Sequence, residues 1–219
     1  MPCAAIIVAS GKSRRMGFDK LAAELKGVSV LRRSVMAFMN APGIDHVIVV
    51  CPQERFDALL TGDFPKPLTR VDGGKERQDS VKAGLMALSA RDELVAVHDG
   101  ARPLVSVEAI ELCIIEARQH GAATLARPIT ETIKKADLDL FSHEGIDRSS
   151  LWFTETPQIF KSELLRSAYA HITTHGMVAT DEVTAMEALG IGTKLVASPG
   201  PNIKITHQAD IDLATALIS

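Results

Sequence analysis

Cysteine is sparse and scattered. Cys3, Cys51 and Cys113 stand far apart, with no CxxC pair, the pattern of reduced thiols rather than of a disulfide frame or a zinc site. Long apolar runs are missing too: the longest, such as Ala4 to Ala9, fall far short of the roughly 18 residues that span a bilayer. The N-terminus is apolar first and basic second, the reverse of a secretory signal, so a cytoplasmic setting is expected. No sign of charge dominates. The 24 Lys+Arg against 27 Asp+Glu leave a formal charge of -3, which excludes broad electrostatic binding to nucleic acid or to an anionic membrane. Repeats, linkers and biased segments are absent, and 46% apolar with 23% charged residues excludes disorder. A chain of 219 residues buries about 70–75% of its unfolded surface. One domain over 1–219, needing no metal or disulfide to fold, is expected.

What is present is an alternation of short β-branched runs with longer segments of helical period. Ala4 to Ala9 and Val47 to Val50 read as strands buried on both faces. Between them Leu31, Val35, Phe38 and Met39 form a helix stripe that Pro42-Gly43 closes. The pattern repeats through a helix with Val81, Leu85 and Leu88 to a strand at Leu94–Val97. It repeats again through Ile110, Ile114 and Ala117 to Gly121 and a strand near Ala122 to Ala126. This rhythm predicts an α/β fold, a Rossmann-like, mostly parallel sheet with helices on both faces. The stretch from Ile129 to Glu155 breaks it and reads as a protruding antiparallel β-hairpin, with Leu151-Trp152-Phe153 as its returning strand. Such an edge is often covered by a partner chain. Beyond it the sequence predicts helices near Ser162–Ala170 and Asp181–Leu189, the second capped by Thr180 and stopped by Gly190. A strand at Lys194–Ala197, a last short strand at Asn202–Ile205 and a helix around Asp210–Leu217 follow.

Four segments carry chemistry. The first follows the first strand: Ala9-Ser10-Gly11-Lys12-Ser13-Arg14-Arg15-Met16-Gly17, then Asp19-Lys20. Ligands of open α/β sheets bind outside the carboxyl ends of the strands, where this loop falls. Small residues let backbone N–H groups approach phosphate, and Arg15 and Lys20 can each reach a triphosphate. The segment is neither GxGxxG nor GxxxxGK[ST]. The second is Val97-His98-Asp99-Gly100-Ala101-Arg102-Pro103. There Asp99 can help hold Mg²⁺ and Arg102 offers a planar fork for a phosphate; taken alone, the segment reads more readily as a simple turn at Asp99-Gly100 with Arg102 on the surface. The third, Asp72-Gly73-Gly74-Lys75-Glu76-Arg77-Gln78-Asp79-Ser80, is a Gly-Gly loop that either wraps a nucleobase or merely enters a helix. The fourth is Lys204, between Ile203 and Ile205, which by itself is as readily an edge lysine facing solvent.

Together these segments resemble the 2-C-methyl-D-erythritol 4-phosphate cytidylyltransferases of the non-mevalonate isoprenoid pathway, in order and over essentially the whole chain. Asp147-Arg148, Trp152, Thr156-Pro157-Gln158, Thr180-Asp181-Glu182 and Asn202-Ile203-Lys204 add to the resemblance. It departs where the family commonly shows Pro-Lys-Gln and this chain has Asp19-Lys20-Leu21, and where Ser10 precedes Gly11.

The resemblance implies transfer of a cytidylyl group from CTP to the sugar-alcohol phosphate, with release of pyrophosphate and Mg²⁺ or another divalent cation as cofactor. It implies that Arg15 and Lys20 stabilise the transition state and that Arg148 and Lys204 position the acceptor phosphate. Asp99, Arg102, Thr132 and Thr156 would line the acceptor pocket, while Ser10, Gly11, Gly74 and Ser80 approach the cytosine. A homodimer whose arm reaches a neighbouring site is implied as well. The rival expectations are a ribitol 5-phosphate cytidylyltransferase, which shares the glycine loop and Asn-Ile-Lys, and a non-catalytic nucleotide-binding domain. Trp152 and Thr180-Asp181-Glu182 favour the erythritol enzyme.

Overall fold

The computed structural model describes residues 1–11 and 18–218. In chain order their strands are β1 (Cys3–Val8), β2 (Glu24–Leu25), β3 (Val28–Ser29), β4 (His46–Val50), β5 (Leu68–Val71), β6 (Leu94–Asp99), β7 (Ala122–Pro128), β8 (Ile133–Ala136), β9 (Ser142–Ile146), β10 (Trp152–Lys161) and β11 (Lys194–Ala197). The helices are α1 (Val30–Asn40), α2 (Gln53–Leu59), α3 (Arg77–Met86), α4 (Val107–His120), α5 (Ser162–Thr174), α6 (Glu182–Glu187) and α7 (Gln208–Leu217). Among the described residues, seven strands join in the order β11-β7-β10-β6-β1-β4-β5. Six point one way, and β10 runs antiparallel between β6 and β7.

β1, and β4 after His46, are apolar throughout because both of their faces are covered. Ala5, Ile7, Val47 and Val49 join one core with the stripe Leu31, Val35 and Phe38 of α1 and Ile110 and Ile114 of α4. Ala4, Ile6, Ile48 and Val50 point the other way, onto Val81 and Leu85 of α3 and Leu165 and Tyr169 of α5. Each large side chain so buried contributes about 1.5–3 kcal/mol. Ser29 caps α1 by accepting the Arg32 N–H at 3.2 Å, and α4 ends at Gly121, whose φ of +84° suits glycine.

Three boundaries differ from the sequence expectation. The hairpin is β8 paired with β9, a separate two-stranded sheet, and its expected return, Leu151-Trp152-Phe153, instead leads into β10 of the main sheet. Pro157 hides that strand in the sequence, since proline cannot donate to a ladder. Here it falls at a register irregularity between Thr154 and Gln158, where the missing N–H leaves no gap. The second correction concerns 202–205, which forms no strand: Ile205 gives one backbone bond, to the Ala101 carbonyl at 2.8 Å. The third concerns the cap of α6. It is Asp181, whose Oδ1 accepts the Thr184 N–H at 2.9 Å, rather than Thr180.

Candidate active site

The loops after β1, β5 and β6 meet at the carboxyl edge of the sheet, where open α/β folds bind ligands. Backbone bonds link the strand ends in turn: Gly100 N–H donates to the Val8 carbonyl at 2.9 Å, Ala9 N–H to that of Val50, at the end of β4, at 2.9 Å, and Cys51 N–H to that of Val71, at the end of β5, at 3.1 Å. Because β10 runs antiparallel, its early residues reach the same edge, with Gln158 opposite Val97. That register explains how Thr156 comes to stand beside Asp99.

Asp99 is buried and surrounded by cations. Its Oδ1 accepts from Arg77 Nε at 3.1 Å and its Oδ2 from Lys204 Nζ at 2.7 Å. Arg102 Nε lies 3.9 Å from Oδ2. The Asp99 N–H donates to Thr156 Oγ1 at 3.1 Å. Burial alone would raise the Asp99 carboxyl, but Arg77, Lys204 and Arg102 prevail and hold it well below the usual carboxylate range. Both oxygens therefore already accept from cationic donors. This arrangement does not suit the metal-ligand role expected of Asp99, because Mg²⁺ would stand against the like charges of Arg77, Lys204 and Arg102. Among the described residues no three His, Cys, Asp or Glu side chains group into a metal cage.

Behind Asp99 the buried His98 fixes its own tautomer. Its Nε2 faces the Arg102 carbonyl at 3.1 Å, which can only accept, so Nε2 carries the proton. Its Nδ1 then accepts from the Thr156 hydroxyl at 3.0 Å. Burial pushes the imidazole down to about 4, and it is neutral at pH 7. Arg102 Nη1 donates to the Asn202 carbonyl at 2.7 Å. Asn202 Nδ2 donates to Glu155 Oε2 at 3.0 Å and to the Thr156 carbonyl at 2.8 Å. These bonds dock the segment carrying Lys204 onto the start of β10.

The Gly73-Gly74 loop and the loop after β1 converge as well. Gly74 N–H donates to Ser80 Oγ at 3.2 Å. A Cβ on Gly73 would fall 1.9 Å from Ser10 Oγ and 2.9 Å from Ser80 Oγ, so only glycine lets these two loops touch. Ser10 Oγ itself donates to the Val50 carbonyl at 2.9 Å.

A model of the 2-C-methyl-D-erythritol 4-phosphate cytidylyltransferases matches residues 3–219. The chain belongs to this family. The cytidylyltransferase of that name from Symbiobacterium thermophilum is 35% identical, over 100% of this chain and 93% of its own length. The chloroplastic one of Oryza sativa is also 35% identical, over 98% of this chain and 73% of its own. The crystal structure of 4-diphosphocytidyl-2C-methyl-D-erythritol synthase from Anaerococcus prevotii superposes with a TM-score of 0.86 at 30% identity, covering 98% of this chain and 96% of that one. The cytidylyltransferase structure from Thermus thermophilus gives 0.83 at 29% identity, covering 99% and 98%.

Of the residues expected to form the cytidylyltransferase site, the structure joins Asp99, Arg102, Thr156 and Lys204 into one hydrogen-bonded or ion-paired group, and brings Ser10, Gly74 and Ser80 together around Gly73. Lys20 Nζ donates to the Ile205 carbonyl at 2.7 Å, beside Lys204 in the chain. Gly11 belongs to the same edge through its carbonyl, which accepts from Arg55 Nη2 at 3.1 Å. Arg15 lies outside the described residues. Thr132 and Arg148 are exposed on the arm, and among the described residues no bond ties either to Asp99, Arg102 or Lys204. Arg55, Glu155, Tyr169 and Glu182 support the site beyond the residues expected from the sequence. Glu182 sits in the quoted Thr-Asp-Glu motif, which was the available signal; Tyr169 falls on the apolar stripe of α5 and reads as core.

Arg55 shows how the Asp19 departure is absorbed. Its Nε pairs with Asp19 Oδ2 at 3.0 Å, and its Nη1 donates to the Ala9 carbonyl. With the bond to Gly11, one guanidinium ties the chain entering the first loop to the chain leaving it.

Proposed function

We propose that this chain transfers the cytidylyl group of CTP to 2-C-methyl-D-erythritol 4-phosphate and releases pyrophosphate. The observation that carries the reading is the Asp99–Lys204–Arg102 group, set at the carboxyl edge beside the Ser10–Gly73–Ser80 contact in a chain of this family. An acceptor phosphate oxygen attacks the α-phosphorus in line. The new P–O bond forms as the bond to the pyrophosphate oxygen breaks, and that oxygen leaves with the electron pair. The protein's work is then positioning and charge stabilisation. Lys204 and Arg102 hold the acceptor, and Thr156 and the Asp99 carboxylate orient it. Arg15 and Lys20 meet charge developing on the α-phosphate, while the backbone around Gly11 and Gly74, with Ser80, accepts the cytosine.

We also propose a homodimer in which Thr132 and Arg148 complete the site of the other copy. The arm forms its own two-stranded sheet, and Leu138, Leu140 and Phe141 near its tip are strongly exposed, as expected of a surface meant to be covered. A divalent cation would travel on the triphosphate oxygens with water, and no residue is assigned to it. A cytoplasmic setting is supported by the free, buried Cys3, Cys51 and Cys113. Among the described residues no helix is long and apolar enough to cross a membrane. Pyrophosphate release tests the reading: it should require CTP and the acceptor together. Release from CTP with no acceptor dependence would contradict it.

A further inference from the structure

The Arg77 guanidinium stands between two carboxylates. Nη1 and Nη2 donate to Glu182 at 2.8 and 3.0 Å, and Nε donates to Asp99 Oδ1 at 3.1 Å. Glu182 is completely buried. The Tyr169 hydroxyl donates to its Oε1 at 2.9 Å. Gln158 Oε1 accepts the backbone N–H groups of Glu182 and Val183 at 2.9 and 3.2 Å, and Gln158 Nε2 donates to Asp181 Oδ2 at 3.0 Å. Glu182 is thus held from its backbone and from its carboxylate at once.

Burying an ion pair seldom adds stability over apolar residues of the same volume, because desolvation consumes most of the attraction. Its value here lies in what it fixes. With both Nη groups pinned in a bidentate pair, the guanidinium plane is set and Nε has one direction, toward Asp99 Oδ1. Asp99, held there and at its own N–H by Thr156, presents Oδ2 to Lys204. Glu182 also offsets the charge of Arg77, so the second carboxylate is not drawn wholly onto Arg77 and away from Lys204.

We propose that Glu182 is a positioning residue for the acceptor side of the site, acting through Arg77 to fix Asp99 and, through Asp99, the place of Lys204. The inference rests on the cytidylyl-transfer reading above. It assigns Glu182 and Arg77 to the acceptor rather than to CTP, although Arg77 begins the helix that follows the base loop.

The test is Glu182→Gln in the full chain, with both substrates varied at steady state and CTP binding measured by calorimetry. Loss of the charged partner should raise the acceptor KM about tenfold and leave CTP affinity within about twofold. Combining it with Arg77→Lys should add nothing to the larger single effect, since both act on one path. Should Glu182→Gln not fold, Arg77→Lys carries the test: it keeps the charge, cannot pin both carboxylates, and should show the same split. A folded variant with unchanged acceptor KM, an equal loss toward both substrates, or additive losses in the double variant would overturn the proposal. Wild-type chain that releases no pyrophosphate from CTP and acceptor overturns the functional reading instead. Active wild type with an insensitive acceptor KM overturns this inference alone.

Discussion

Lys204 Nζ lies 2.7 Å from Asp99 Oδ2, so the cation assigned to the acceptor phosphate is oriented by a carboxylate. Removing it should weaken the acceptor before anything else. Lys204→Ala is expected to raise the acceptor KM about tenfold or more, the usual consequence of losing a charge-assisted hydrogen bond, with CTP binding near normal. Steady-state kinetics decides this; a change confined to CTP would show that Lys204 serves the nucleotide.

Arg55 should act on the other substrate. It joins Ala9 and Gly11 to Asp19 across the first loop, and Arg55→Ala frees both ends at once. Calorimetry should show CTP binding about tenfold weaker, with acceptor KM little changed. Unaltered CTP affinity would mean that the clamp serves stability alone.

The contact of Gly73 with Ser10 makes a steric prediction. Gly73→Ala places a Cβ 1.9 Å from Ser10 Oγ and 2.6 Å from Ser10 Cβ, so the loops must part and CTP binding should fall. Ser10→Gly, which removes both atoms, should restore more of the affinity than Ser10→Ala, which removes only the first. Equal rescue by the two would contradict the contact.

His98 gives a pH dependence. Its folded value, near 4, lies below the ordinary value of about 6.5. Below pH 6.5 the unfolded chain therefore binds a proton that the folded chain does not. Stability from this residue is full above about pH 6.5 and is lost as pH falls toward 4, by an amount of order 3 kcal/mol. Asp99, held low, loses its contribution only below about pH 4, where the unfolded carboxyl protonates. Urea midpoints at pH 7 and 4.5 should accordingly differ less in His98→Gln than in wild type. The same difference in both would remove His98 from the account.

Deleting Glu131 to Ser149 tests the arm. The Ile129 N–H meets the Leu151 carbonyl at 3.1 Å at its base, so the cut ends already adjoin and the main sheet should survive. Light scattering should report a folded monomer, and assay an inactive one. An active monomer would contradict the dimer proposal.

The legible parts of this chain were those with a local period. β1, β4 from Val47 and the Leu94–Val97 part of β6 are apolar on both faces, and α1 carries a full stripe, so each announces itself. β10 does not, because Pro157 and the polar Glu155-Thr156 break its pattern and are reconciled only by the irregularity opposite β7. α2 has no fully buried residue and shows no stripe, so nothing in the sequence singles out Arg55. The resemblance implies an acceptor pocket of Asp99, Arg102, Thr132 and Thr156 with Arg148 and Lys204; Asp99, Arg102, Thr156 and Lys204 share one bonded group, whereas Thr132 and Arg148 stand exposed on the arm. What the motifs could not convey is pairing: Arg77 reaches Glu182 across 105 residues, a distance that no spacing rule spans, and Asp99 meets Arg77 at one oxygen and Lys204 at the other.

The central claim is the identity of the acceptor, and side-by-side turnover tests it most directly. With CTP fixed, kcat/KM for 2-C-methyl-D-erythritol 4-phosphate and for ribitol 5-phosphate is measured by pyrophosphate release, with the cytidine-diphosphate product identified by mass. The account predicts turnover of the erythritol phosphate at least about a hundredfold above the ribitol compound, the scale set when a site's buried polar groups are left unpaired. Preference for ribitol 5-phosphate, or CTP binding with no product from either, would contradict it.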